Sequence, residues 1–293
     1  MYKRILVPLD GSELAERALA YARAIAVRSH SEVVLLTVSA PDDTLELPLR
    51  AYLEKQTGEL SSSGVEASPL IVQGDAAEEI LNLAETNYVD LIIISAHGRS
   101  GATRWNLGNI ASKVLQKSPI PTILIRSSGA DAVPIEKELG SILVTLDGSR
   151  FAEAVIPYAV GLAEAMDSEI ALLRIIEPVT LPRLAGYGQW VDWDKYERDL
   201  SAQAQSEARI YLDNVELGLQ ARGLKVSSTS LSGKPAQAIL QYAEDRSVGL
   251  IALSTHGFSG IARWAYGSVA SRIIEGSPRP VLLVRPPPPP SDA

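Results

Sequence analysis

The chain writes one long passage twice, and this duplication restricts the possible folds more than any other feature. ILVPLDGSE (Ile5 to Glu13) returns as ILVTLDGSR (Ile142 to Arg150), 137 positions later. VVLLTVSA from Val33 returns as IALLRIIE from Ile170 at the same shift. GDAAEEIL from Gly74 returns as GKPAQAIL from Gly233, now at a shift of 159. SAHGRSGATRWNLGNIASKVLQKSPIPTILIR (Ser95 to Arg126) also returns at 159, as STHGFSGIARWAYGSVASRIIEGSPRPVLLVR (Ser254 to Arg285). The second copy therefore holds 22 more residues between its second strand and GKPAQAIL, the difference between the two shifts. Solenoid repeats have periods of about 20–50 residues, so a period this long marks a duplicated domain. A 293-residue chain has room for two such domains, each with its own core. The expected division is 1–128 and 140–286, with a proline-rich tail at 287–293.

Within each copy, strand and helix patterns alternate. RILVPLD is a short β-branched run suited to a strand buried on both faces. In the following SELAERALAYARAIAVRS, Leu14, Ala18, Leu19, Ala22 and Ile25 recur at helical spacing. Strand VVLLTV, a helix near Leu49 to Ser61, strand SPLIVQ, helix DAAEEILNLAETN, strand DLIIIS, helix GNIASKVLQKS and strand PTILIR follow. Such alternation predicts parallel strands joined by right-handed crossovers. The fold class is α/β: two tandem five-stranded parallel open sheets, order 3-2-1-4-5, with helices on both faces. The last strand of each copy follows a proline-flanked segment, SPIP or SPRP, which suits an edge.

Composition removes several classes of function. With no cysteine, disulfides, thiol catalysis and thiolate metal sites are excluded. A net charge of −8 opposes a duplex nucleic-acid partner, whose phosphates must be met by Lys and Arg. No apolar run reaches the roughly 18 residues of a membrane span, and MYKRILVPLD opens directly into a strand pattern rather than a signal peptide. The expectation is a cytoplasmic protein with no membrane partner.

The chemistry gathers where the strand order reverses, outside the carboxyl ends of strands one and four. Asp10 and Ser95 stand there in the first copy, Asp147 and Ser254 in the second. Gly98 and Gly101, like Gly257 and Gly260, permit positive φ and a close ligand approach. Gly108 and Gly267 open the next helix, whose free N–H groups favour an anion, and Ser268 can cap that helix or donate to a phosphate. A nucleotide fits such a loop. Asp10 has a second reading as a helix cap, with capping-box spacing to Glu13. His97 and His256 have no evident orienting partner, so they read as loop residues rather than catalytic ones. The repeated Arg104-Trp105 and Arg263-Trp264 suit either phosphate contact or solvated surface. There is no Walker loop and no GxGxxG, and fast ATP hydrolysis is not expected.

These features resemble the universal stress protein family over nearly the whole chain. Nucleotide-binding members carry G-x2-G-x9-G-[ST] after the fourth strand. Here Ser95-x2-Gly98-x9-Gly108-Asn109 and Ser254-x2-Gly257-x9-Gly267-Ser268 keep that spacing, with serine at the first glycine and Asn109 at the closing hydroxyl. The resemblance implies bound ATP, with or without Mg²⁺, and no dedicated protein metal site. It implies an adenine end at Pro8, Leu9, Asp10 and Val38, or Thr145, Leu146, Asp147 and Ile175. It places Ile94, Ala96, His97 and Gly98, or Leu253, Thr255, His256 and Gly257, along the loop. Gly108, Asn109, Ile110 and Ala111, or Gly267, Ser268, Val269 and Ala270, would hold phosphates and ribose. It also implies that the two halves pair through their last strands as a pseudo-dimer, leaving a further homodimer open. Ser268 ranks the second site as the tighter one for ATP. The function implied is a nucleotide-dependent stress-response module. A slow ATPase and a nucleotide-free scaffold for an unspecified protein partner are the alternatives.

Overall fold

The run RILVP becomes β1 (Arg4–Pro8), whose Ile5, Leu6 and Val7 are all buried, as a strand covered by helices on both faces requires. A computed structural model describes residues 1–40, 46–98, 107–126, 135, 139–181, 192–255 and 266–286. After β1 come α1 (Glu13–Ser29), β2 (Glu32–Ser39), α2 (Glu46–Ser62), β3 (Ala67–Gln73) and α3 (Ala76–Thr86). The first half closes with β4 (Leu91–Ser95), α4 (Asn109–Lys117) and β5 (Thr122–Ile125). The second half opens with β6 (Ser141–Thr145), a short α5 (Arg150–Glu153), α6 (Ile156–Met166) and β7 (Glu169–Ile176). It continues through α7 (Trp193–Gln220), β8 (Val226–Ser232), α8 (Pro235–Asp245), β9 (Leu250–Ser254), α9 (Ser268–Gly276) and β10 (Val281–Val284).

The counterpart of α1 is divided into α5 and α6. Pro157 lies in the first turn of α6, where its missing N–H breaks the ladder that α1 keeps intact. Part of the 22-residue excess goes into α7, which has 28 residues against 17 in α2. Trp193 opens α7; Trp190 lies outside the described residues.

Strand order is β3-β2-β1-β4-β5 in the first half and β8-β7-β6-β9-β10 in the second, the expected 3-2-1-4-5 twice. The expectation of two separate sheets needs one correction. β5 and β10 pair antiparallel, with Leu282 opposite Ile123 and Leu283 opposite Thr122, giving one ten-stranded sheet. Each is the edge of its own half, so its free backbone groups are satisfied by the other. Two apolar layers run the length of this sheet. One holds Ala18, Ile25, Leu53, Val160 and Leu212, from α1, α2, α6 and α7. The other holds Ile80, Val114, Ile239 and Ile273, from α3, α4, α8 and α9. Both layers draw residues from both halves.

Polar contacts fix the joint. Tyr2 Oη donates to the Tyr158 carbonyl at 2.6 Å, and Tyr266 Oη donates to the Ser112 carbonyl at 3.1 Å. Arg285 Nη1 donates to the carbonyls of Gln116 and Lys117 at 3.1 and 3.3 Å. It thereby places a cation at the negative end of α4. Among the described residues no helix is long and apolar enough to cross a membrane.

Candidate functional site

Each half begins its site with the turn Asp-Gly-Ser. Gly11 and Gly148 take φ of 79° and 90°, a conformation that strongly favours glycine. Ser12 then caps α1, its Oγ accepting from Ala15 N at 3.2 Å. Asp10 Oδ1 accepts from Ser12 N at 3.0 Å and Ser12 Oγ at 2.6 Å. The cap is therefore Ser12 and not Asp10, which corrects the capping-box expectation. Asp10 braces the cap with one oxygen and turns the other toward Gly98. A Cβ built on Gly98 would stand 2.1 Å from Asp10 Oδ2. Gly98 is not among the positive-φ residues; what requires glycine there is the close approach of Asp10. The second half repeats the turn, with Ser149 capping α5 and Asp147 Oδ1 accepting from Ser149 N at 2.8 Å.

The loop after β4 is anchored at both ends of its path. Ala96 N donates to Ile125 O at 2.7 Å, and Gly108 N returns to donate to Ala96 O at 2.8 Å. Thr255 N to Val284 O at 2.9 Å and Gly267 N to Thr255 O at 2.8 Å repeat this frame. Gly108 and Gly267 are the N-caps of α4 and α9, and neither helix start has a side-chain cap bond. Ser268 is thus the first helical residue and does not cap the helix, leaving its hydroxyl to another partner.

In the first half these elements enclose a cavity of about 440 Å³. Pro8 lines it from the end of β1 with Leu9 and Asp10 just after, Val38 from β2, and Ile94 from β4 with Ala96, His97 and Gly98 in the segment that follows. Gly108, Asn109, Ile110 and Ala111 line it from the start of α4. All twelve residues expected in the first site thus meet at one cavity. Ser95, placed at the crevice by the strand order, also lines it, and sequence reasoning missed Ala15, Leu36, Ala76 and Ile80, which complete the walls. Ala15, Leu36, Ala76 and Ile80 are ordinary apolar positions of strand and helix, with no residue-type signal to separate them from core.

In the second half Thr145 ends β6 with Leu146 and Asp147 just after it, Ile175 is in β7, and Leu253 is in β9 with Thr255 just after it. Gly267, Ser268, Val269 and Ala270 open α9. His256 and Gly257 lie outside the described residues, as do Gly101, Gly260, Arg104, Trp105, Arg263 and Trp264. The second half also differs in charge. Where Thr37 Oγ1 donates to Leu9 O at 3.0 Å, the second half has Arg174. Its guanidinium lies over the Tyr211 ring, 5.3 Å from the centroid. Its Nη1 is 2.9 Å from where a Cβ on Gly148 would be. Tyr211 Oη donates to Glu153 at 2.9 Å, and burial followed by this bond raises the phenol above its ordinary pKa.

The model of the universal stress protein family matches residues 1–126 and 139–285. The chain belongs to the universal stress protein family. A universal stress protein of Methanocaldococcus jannaschii is 28% identical over 146 residues, 50% of this chain and 82% of that protein. One from Mycobacterium tuberculosis is 27% identical over 207 residues, 68% of this chain; the chain spans 63% of that relative's length. The solved universal stress protein of Archaeoglobus fulgidus superposes with a TM-score of 0.69 at 21% identity, covering 96% of this chain and 98% of the other. A putative universal stress protein of Pseudomonas aeruginosa gives 0.71 at 19% identity, covering 97% and 94%. These likenesses establish the tandem fold of this universal stress protein; at such identity they say nothing of its ligand.

Proposed function

We propose that this universal stress protein binds ATP in crevices at the carboxyl ends of its strands and acts through its nucleotide-bound state rather than through fast catalysis. The observation that carries the reading is the first cavity. Its volume is within the range of small-ligand pockets, about 300–1,000 Å³. Its apolar walls suit an adenine face, while Asp10 can accept from a ribose hydroxyl. The uncapped start of α4 offers backbone N–H groups and a positive dipole end to phosphate. The same Asp-Gly-Ser turn and glycine-started helix recur in the second half, so a second site is part of the proposal. Mg²⁺ would arrive with the phosphates rather than on a protein site.

Native mass spectrometry of freshly purified full chain is expected to show one or two retained adenine nucleotides. No retention, together with no binding during titration with ATP to about 1 mM, overturns the reading. In the same sample ATP turnover is expected to fall far below the typical enzyme value of about 10 s⁻¹. Turnover near that value makes the protein an enzyme.

A further inference from the structure

In the first half, α3 and α4 are joined at the rim of the cavity by an ion pair. Lys113 Nζ lies 3.6 Å from Asp75 Oδ2, next to the lining residues Ala76 and Ala111. The same carboxylate caps α3, Oδ1 accepting from Ala77 N at 3.0 Å and Glu78 N at 3.1 Å. These contacts, the bond from Glu78 N–H first, hold Asp75 below the usual carboxylate range. Its stabilising effect is therefore present above the unfolded pKa and is lost as pH falls through the folded one. Lysine charge, helix start and carboxylate satisfy one another.

The second half has the opposite sign at one of these two positions. Asp75 becomes Lys234 and Lys113 becomes Arg272 at the 159-residue shift. Lys234 is the N-cap of α8 and supplies no side-chain cap bond. Neither Lys234 nor Arg272 has an ion pair or side-chain hydrogen bond among the described residues. Pro235 follows at the helix start, so the next N–H groups, of Ala236 and Gln237, are left without a carboxylate. Two cations and an open helix start thus stand at the positions that form a neutral ion pair and a capped helix in the first half.

A second, independent observation points to a ligand. Ser254 is only 8% exposed, and its Oγ has no hydrogen-bond partner among the described residues. Its counterpart Ser95 lines the first cavity and accepts from His97 N at 3.4 Å. A buried hydroxyl left unpaired is costly, and a ligand in the second crevice would supply the missing partner.

We propose that the two crevices are not equivalent: the second selects a nucleoside polyphosphate over a nucleoside through Lys234 and Arg272, whereas the first holds its ligand mainly by the base and is less sensitive to phosphate number. This rests on the nucleotide reading above. The decisive variant is Lys234→Asp, which rebuilds the first half's arrangement by giving Arg272 a carboxylate and α8 a cap. It should melt no lower than the parent protein, so a loss of binding in it is not a loss of fold.

The measurement is calorimetric titration of the full chain with ATP, adenosine and inorganic tripolyphosphate. A background Ala76→Phe substitution fills the first cavity. Lys234→Asp is expected to weaken ATP about five- to tenfold, leave adenosine unchanged and remove tripolyphosphate binding. Adenine compounds that bind with an ATP-to-adenosine ratio untouched by Lys234→Asp overturn the inference and leave the nucleotide reading standing. Tripolyphosphate binding that Lys234→Asp removes, with no adenine compound bound, keeps the polyanion site and overturns the adenine reading. No binding of any of the three overturns the inference, while the nucleotide reading is decided separately by ATP titration of the parent chain, whose first cavity is open.

Discussion

Leu282→Asp is expected to leave no cooperatively folded two-half particle. Leu282 is fully buried and faces Ile123 across the antiparallel pair of β10 with β5. It also belongs to the apolar layer that includes Ile5 and Ala18 of the first half and Ile142 and Leu212 of the second. Deleting a buried leucine side chain costs about 2–5 kcal/mol, and an unpaired carboxylate in its place adds several more. Against a total stability of about 5–15 kcal/mol, that sum is enough to unfold the chain. The check is thermal melting followed by circular dichroism. Leu282→Ala should melt cooperatively but lower, by the cavity cost alone. Leu217→Asp, at a 63% exposed position on α7, should stay within about 0.5 kcal/mol of the parent. A Leu282→Asp melt that matches the parent would show that the joint between the halves carries little of the stability.

That joint also shows where sequence reasoning succeeds and where it stops. The prolines before β5 and β10 mark them as edge strands, because a proline cannot serve a central ladder. Nothing local names the partner of an edge. Its partner followed from the family resemblance, and the pairing makes one sheet from what reads as two. The twelve first-half site residues were legible for a different reason. Glycines, a strand-ending aspartate and a helix start keep a fixed spacing twice, and spacing survives in a linear text. The remaining walls, Leu36, Ala76 and Ile80, come from elements far apart in sequence and look like core from pattern alone.

Two local readings take a different form in the structure, because each weighed a residue against its neighbours in sequence rather than in space. Asp10 has the spacing of a cap, but Ser12 takes the cap and Asp10 holds Ser12. Gly98 can permit positive φ and a close approach; it is not among the positive-φ residues, and the close approach its missing Cβ allows is that of Asp10. The ranking of the two crevices turned on Ser268 against Asn109 and did not weigh Lys234 or Arg272. Lys234 and Arg272 give the halves a further difference in charge, which is seen only when the second half is laid over the ion pair of the first.

Gly98→Val is expected to weaken nucleotide binding in the first crevice more than about 100-fold while the chain stays folded. The valine Cβ would stand 2.1 Å from Asp10 Oδ2 and 3.0 Å from its Cγ, closer than nonbonded carbon and oxygen atoms approach. Asp10 must turn aside, so its carboxylate leaves the cavity wall and its brace on Ser12 is lost. The stability cost is of the order of a helix cap, about 1 kcal/mol, well below total stability. The binding loss combines a displaced carboxylate with two valine methyl groups in the cavity, and 100-fold corresponds to about 2.8 kcal/mol. The control lies in the second half. A Cβ on Gly267 would sit 3.5 Å from Thr255 O, an ordinary contact, whereas one on Gly108 would sit 2.9 Å from Ala96 O, a backbone atom. Gly267→Ala should therefore be nearly silent in melting, and Gly108→Ala should not. Removing the obstructing carboxylate in Gly98→Ala/Asp10→Ala should relieve the clash without restoring affinity, because the ribose acceptor is gone. If Gly98→Val binds ATP as the parent does, or if the double variant binds it fully, Asp10 is not a ligand contact and its work is confined to the cap.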